Sequence, residues 1–114
     1  PDAPERADVV DARLANLDIP DVEWRVVRSE AIEVIQNCAD GTLDFAYIDD
    51  DHRIEHVQEE VRWLCQKVSP GGLITAHDVY GSCDLKRVFD LYHDSICLDL
   101  PRLGAAGGLG ILQI

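Results

Sequence analysis

Leu43-Asp-Phe-Ala-Tyr-Ile-Asp-Asp-Asp-His52 is the stretch on which the fold turns. Its first six residues are mostly apolar and follow the Asp40-Gly41 turn signal. A short apolar run of this kind reads as a buried strand of a parallel sheet. Three acids and a histidine end it abruptly. Directly afterwards Ile54, Val57, Val61, Leu64 and Val68 recur at helical spacing, lining one face through about four turns. Pro70-Gly71-Gly72 stops that helix, and Leu73–Ala76 reads as a second short buried strand, with His77-Asp78 at its end. Strand, helix and strand in this order predict a βαβ unit with parallel strands.

The same alternation extends outward in both directions. Toward the N-terminus, Ser29 suits a helix cap and Glu30 its positive first turn, ahead of a helix carrying Ala31, Val34, Ile35 and Cys38 on one face. Before that, Val22–Val27 reads as a strand rich in β-formers, and Pro4–Leu17 as a helix with Ala7, Val10, Leu14 and Leu17 on its apolar face. Toward the C-terminus, Asp84 suits a cap for a helix bearing Leu85, Val88, Phe89 and Tyr92. Ser95–Leu100 and Leu109–Ile114 read as closing strands joined by the glycine-rich Gly104–Gly110. They lack a helix between them, so they are expected to pair antiparallel. The sum is α-β-α-β-α-β-α-β-β: an α/β chain, residues 1–114 forming a single domain, with a mostly parallel sheet covered on both faces.

Composition sets outer bounds. A chain of 114 residues supports one small domain, and 46% hydrophobic with 28% charged residues is ordinary for a folded one. The net charge of −12 repels phosphate backbones, so nucleic acid is not an expected partner. There is no apolar run of membrane-spanning length and no basic-then-apolar leader, so neither a membrane span nor a signal peptide is expected. Cys38, Cys65, Cys83 and Cys97 form no C-x-x-C pair and match no zinc spacing. They read as buried free thiols of a cytoplasmic protein. The chain opens on Pro1 and contains no Met, which fits either a trimmed initiator or a piece of a longer protein.

In open α/β sheets ligands bind beyond the carboxyl ends of the strands. Asp49, Asp50, Asp51 and His52 follow one strand, and His77 and Asp78 follow the next. Adjacent strands lie about 4.8 Å apart, which would set the two clusters side by side. Carboxylates and imidazoles converging there suit Mg²⁺ or Mn²⁺, or a general base for a substrate hydroxyl. The competing reading is plainer: an acid after a strand often caps the next helix, and Asp-Asp-Asp-His sits where a helix begins. Gly107-Gly108-Leu109-Gly110 is not a phosphate loop, because a strand rather than a helix follows it. Trp24 and Trp63 read as packing residues, His56 and His93 as surface residues.

These residues resemble a family. Leu43–His52 is similar to the "D, three hydrophobics, I-D-G-D-H" signature of small-molecule S-adenosylmethionine (SAM)-dependent methyltransferases, and Pro70-Gly-Gly-Leu-Ile-Thr-Ala-His-Asp78 resembles their "P-G-G … H-D" segment. Val26-Val-Arg-Ser-Glu30 looks like the strand that ends near the adenine, and Gly108-Leu-Gly-Ile-Leu112 like the last strand. The resemblance implies a Rossmann-like α/β sheet, SAM as cofactor and a small-molecule substrate methylated on a hydroxyl or amine. It further implies that Ser29, Glu30 and Asp49 stand near the cofactor, that Asp49 and Asp78 hold a metal such as Mg²⁺, and that His52 or His77 acts as base.

Two departures follow. Asp50 stands where the family has Gly. The glycine-rich first loop and the second strand are absent from this sequence, about two βα units at some 30 residues each. In the family's sheet those strands lie between the strands read at Val22–Val27 and Leu43–Ile48, so the sheet here is expected to leave an open edge. That points to a homo-oligomer or a missing N-terminal segment. An alternative is a catalytically inactive methyltransferase-like module that oligomerises through that edge. Another is a metal-dependent hydrolase built on Asp49, His52, His77 and Asp78.

Overall fold

The computed structural model describes residues 3–49, 51, 53–81, 83–99 and 107–114, with side chains from residue 8 onward. They fall into two compact units, Pro1–Glu30 and Ala31–Ile114.

The first unit is the helix α1 (Ala3–Leu17) and the segment after it. Asp18 and Asp21 turn the chain with φ of 48° and 63°, a left-handed conformation that Asp tolerates better than most residues. Arg28 is ion-paired with Asp8 and lies 3.8 Å from Asp11, tying the end of this segment to the helix. Val9, Val10, Leu17, Ile19, Val22, Trp24 and Val27 are all exposed. The strand expected at Val22–Val27 does not form. A strand exists only as one side of a hydrogen-bonded ladder, and no described strand pairs with this segment.

The second unit holds α2 (Ala31–Asn37), β1 (Leu43–Ile48), α3 (Ile54–Lys67), β2 (Val68–His77), α4 (Lys86–Phe89), β3 (Ser95–Leu98) and β4 (Leu109–Gln113). The sheet order is β1-β2-β4-β3. β1 and β2 are parallel, and β4 runs antiparallel to both β2 and β3. β1, β2 and β3 therefore share one direction and β4 alone opposes them. The expected antiparallel pairing of the two closing strands is present, with β4 inserted between β2 and β3.

The register explains the core. Ala46, Ile74 and Leu112 lie in one row across the sheet, and Ile48, Ala76 and Gly110 in the next. That face packs with Val57, Val61 and Leu64 of α3 and with Val88 and Phe89 of α4. Full burial of each large apolar side chain contributes about 1.5–3 kcal/mol. At Gly110 a β-carbon would lie 2.8 Å from Val79 Cγ1 and 3.1 Å from the Phe89 ring. The bare backbone there gives Phe89 its seat.

Three details differ from the sequence reading. Among the described residues of this unit, α3 and α4 pack on one face of the sheet, while Phe45, Tyr47 and Ile96 on the other are 58%, 53% and 54% exposed. β2 starts at Val68, directly from α3, and Pro70-Gly71-Gly72 lies within it as an irregularity: Leu43 faces Val68, but Phe45 faces Leu73. α4 is one turn long, and Asp84 does not cap it; with φ 51° it precedes Leu85, which holds the cap position without a side-chain hydrogen bond.

Candidate functional site

Ile48 pairs with Ala76, so the next residue on each strand, Asp49 and His77, emerges side by side at the carboxyl edge. The ladder thus produces the juxtaposition that the two motifs implied. His77 Nε2 lies 2.5 Å from Asp49 Oδ1 and 3.1 Å from Asp78 Oδ2. One imidazole nitrogen is clasped by carboxylates from two strand ends. The His77 side chain is about one-third exposed, which leaves the group open to a solute.

The backbone turns left-handed at Asp78. Its φ is 61°, and its N–H donates to Gly108 O at 3.0 Å. Tyr80 N–H donates to Gly107 O at 2.6 Å, and Tyr80 Oη donates to Cys97 O at 3.3 Å. Gly107 and Gly108, at the described end of the glycine-rich segment, therefore lie directly against Asp78 and Tyr80.

Tyr47 was not foreseen as part of this group. Its ring stacks on His77, with centroids 6.3 Å apart and planes 26° apart. The signal was available: strand side chains alternate, so Tyr47 lies two residues before Asp49 on the same side. Its hydroxyl pKa is raised, first by partial desolvation and then by the negative charges of Asp49 and Asp78.

The acids after β1 divide their work. Asp49 turns to His77. Asp51 turns to the start of α3, where its Oδ1 accepts the Arg53 backbone N–H and Nε–H, each at 3.0 Å. That side-chain bond, followed by the backbone one, lowers the Asp51 pKa to about 2. Asp51 thus binds the residue at the cap position of α3, Arg53, without capping the helix itself, while Asp49 stands beside His77. Asp50 and His52 lie outside the described residues. Ser29 and Glu30 belong to the Pro1–Glu30 unit, whereas Asp49 belongs to the other.

The expected metal pair does not fit a metal centre as arranged. Mg²⁺ requires near-octahedral oxygen ligands at about 2.0–2.1 Å. Here Asp49 and Asp78 both point at an imidazole nitrogen. Among the described residues no group of three or more His, Cys, Asp or Glu side chains is arranged to hold a metal ion. His93 is exposed as expected, but His56 is half-buried, with Nε2 3.3 Å from Glu60 Oε1. The four cysteines are free and half-buried rather than fully buried.

Residues 2–79 match a family model described as a methyltransferase domain. The fold is similar to the crystal structure of a Corynebacterium glutamicum protein solved by a structural genomics consortium, with a TM-score of 0.74 at 13% identity. The match covers 96% of this chain and 56% of that one, so this chain spans little more than half the length of the protein it resembles. No curated protein sequence matches significantly. No described helix is long and apolar enough to cross a membrane.

Proposed function

The chain belongs to this methyltransferase domain family, and on that premise we propose that it is part of a SAM-dependent methyltransferase acting on a hydroxyl or amine of a small molecule. The observation that carries the reading is the Asp49–His77–Asp78 cluster at adjoining strand ends, where open α/β sheets bind their ligands. His77 serves as base for the acceptor group. Asp49 and Asp78 hold its ring in one orientation and offset the charge it gains on taking a proton, as a carboxylate does for a catalytic imidazole elsewhere. His52 is the second candidate base. SAM, when bound, would supply the electrophilic methyl group, and Asp49 is the residue of this cluster that would stand near it. Holding acceptor and donor in line is the main catalytic contribution. Free thiols suit a reducing compartment, which supports a cytoplasmic setting.

Isothermal titration of the protein with SAM, without and with Mg²⁺, tests the reading. A micromolar Kd supports it. No heat of binding in either condition removes it for this chain.

A specific observation favours a second reading. Among the described strands β1 is at the edge, and it exposes its own Phe45 and Tyr47 on one face. Natural sheets seldom leave an apolar edge of this kind uncovered. In this reading the chain is an interaction module that self-associates through β1. Sedimentation equilibrium decides it: a dimer dispersed by Phe45→Lys supports the module, and a monomer at all concentrations refutes it.

A further inference from the structure

We propose that His77 takes the place of a divalent cation in this protein: its imidazole bridges Asp49 and Asp78, so that the two acids orient a base instead of holding a metal. The inference rests on taking Asp49–His77–Asp78 as the reaction centre, not on which group is transferred there.

Two carboxylates converging at a strand edge repel unless a positive or hydrogen-donating group lies between them. The group between them here is His77 Nε2, at 2.5 Å and 3.1 Å. The backbone positions both acids. Asp49 follows the β1–β2 ladder by one residue. Asp78 is fixed by its left-handed backbone, by its N–H bond to Gly108 O and by the close approach of Gly107.

The imidazole is equally constrained. His77 is paired with Leu109 in the β2–β4 ladder, and the Tyr47 ring lies stacked against it. A cation shared by Asp49 and Asp78 would have to compete with the His77 ring for both carboxylates. Metal affinity is therefore suppressed by His77 and should appear when the ring is removed.

The test is a Mn²⁺ titration of the protein without cofactor or substrate. It is followed by paramagnetic broadening of the Tyr47 ring protons and, where present, the His77 imidazole protons. The wild type is expected to show no saturable broadening below ~1 mM Mn²⁺. His77→Ala should bind Mn²⁺ at least about tenfold more tightly, and Asp78→Asn in that background should abolish the gain. His77→Gln, which keeps a side-chain donor in place of the ring, guards against misfolding of the alanine variant and should fall between the two. Saturable broadening of the wild-type signals at micromolar Mn²⁺ overturns the proposal. So does the absence of any gain in both folded His77 variants. Because SAM is not in the sample, loss of the methyltransferase reading would leave this result standing on its own.

Discussion

Gly107 lies against Asp78 with no room for a side chain: a β-carbon on Gly107 would sit 2.6 Å from Asp78 Oδ1 and 2.8 Å from its Cα. The φ of Gly107 is 95°, a region L-residues rarely adopt. Gly107→Ala should therefore lose about 1–3 kcal/mol of stability and push Asp78 away from His77. Urea unfolding reads the first effect, and a changed His77 imidazole shift in the folded variant reads the second. Unchanged stability and shift would show that Gly107 does not shape the site.

Phe89 is fully buried and rests on the bare backbone of Gly110. Phe89→Ala should cost about 3–5 kcal/mol, as large-to-small changes in a packed core do. Gly110→Ala should also destabilise, because the added carbon meets Val79 and the Phe89 ring. The two substitutions share one contact, so in a double variant their costs should sum to less than the separate values. Thermal or urea unfolding of the three proteins checks this.

The Asp51–Arg53 pair predicts a pH dependence with a defined sign. The carboxyl of Asp51 is held at about 2, below its ordinary value of 3.8. A depressed carboxylate adds stability that is fully present above the unfolded value and is lost as pH falls through the folded one. The contribution should thus fade between about pH 4 and pH 2 and be absent from Arg53→Ala. The pair is exposed, so the effect on global stability is small. The direct measurement is the Asp51 carboxyl titration by carbon NMR. A midpoint near 3.8 in the wild type would refute the pairing.

Burial pushes the thiols of Cys65 and Cys97 above the ordinary cysteine range; a hydrogen bond with Tyr92 partly opposes this at Cys65, and the nearby Asp90 charge adds to it at Cys97. The thiolate is the reactive form. At pH 8 both residues should react with iodoacetamide more slowly than a free cysteine, and at ordinary rates once the protein is unfolded. Mass spectrometry of peptides sampled over time distinguishes the sites.

Much of this arrangement was legible in the sequence, for identifiable reasons. β1, α3 and the carboxyl-edge cluster depend on local pattern: a six-residue apolar run, a helical stripe, and polar residues where each strand stops. Asp49 and His77 could be paired from those patterns because neighbouring parallel strands end together. Val22–Val27 failed because a strand is a relation between two backbones, and β-rich composition does not supply the second. The helix read from Asp84 starts only at Lys86, after a backbone turn at Asp84 that composition does not reveal, and ends at Phe89, short of Tyr92. Gly107 was seen as a turn residue, but its contact with Asp78 spans 29 positions (107 − 78) and is set by the β4 register. The stacking of Tyr47 on His77 is likewise tertiary, although strand alternation pointed to the correct side.

The placing of β4 has a consequence for the order in which this molecule assembles. Among the described residues β3 touches the sheet through β4 alone, and β4 is made after it. As the polypeptide leaves the ribosome, Ser95–Leu98 can meet α4 but has no ladder partner among the described strands until Leu109–Gln113 has followed it out. β1, α3 and β2 can meet early, since they are consecutive in the chain. The β4–β3 half of the sheet, and with it the contact of Gly107 with Asp78, is therefore expected late, once β4 has been made and can pair with β2 and β3.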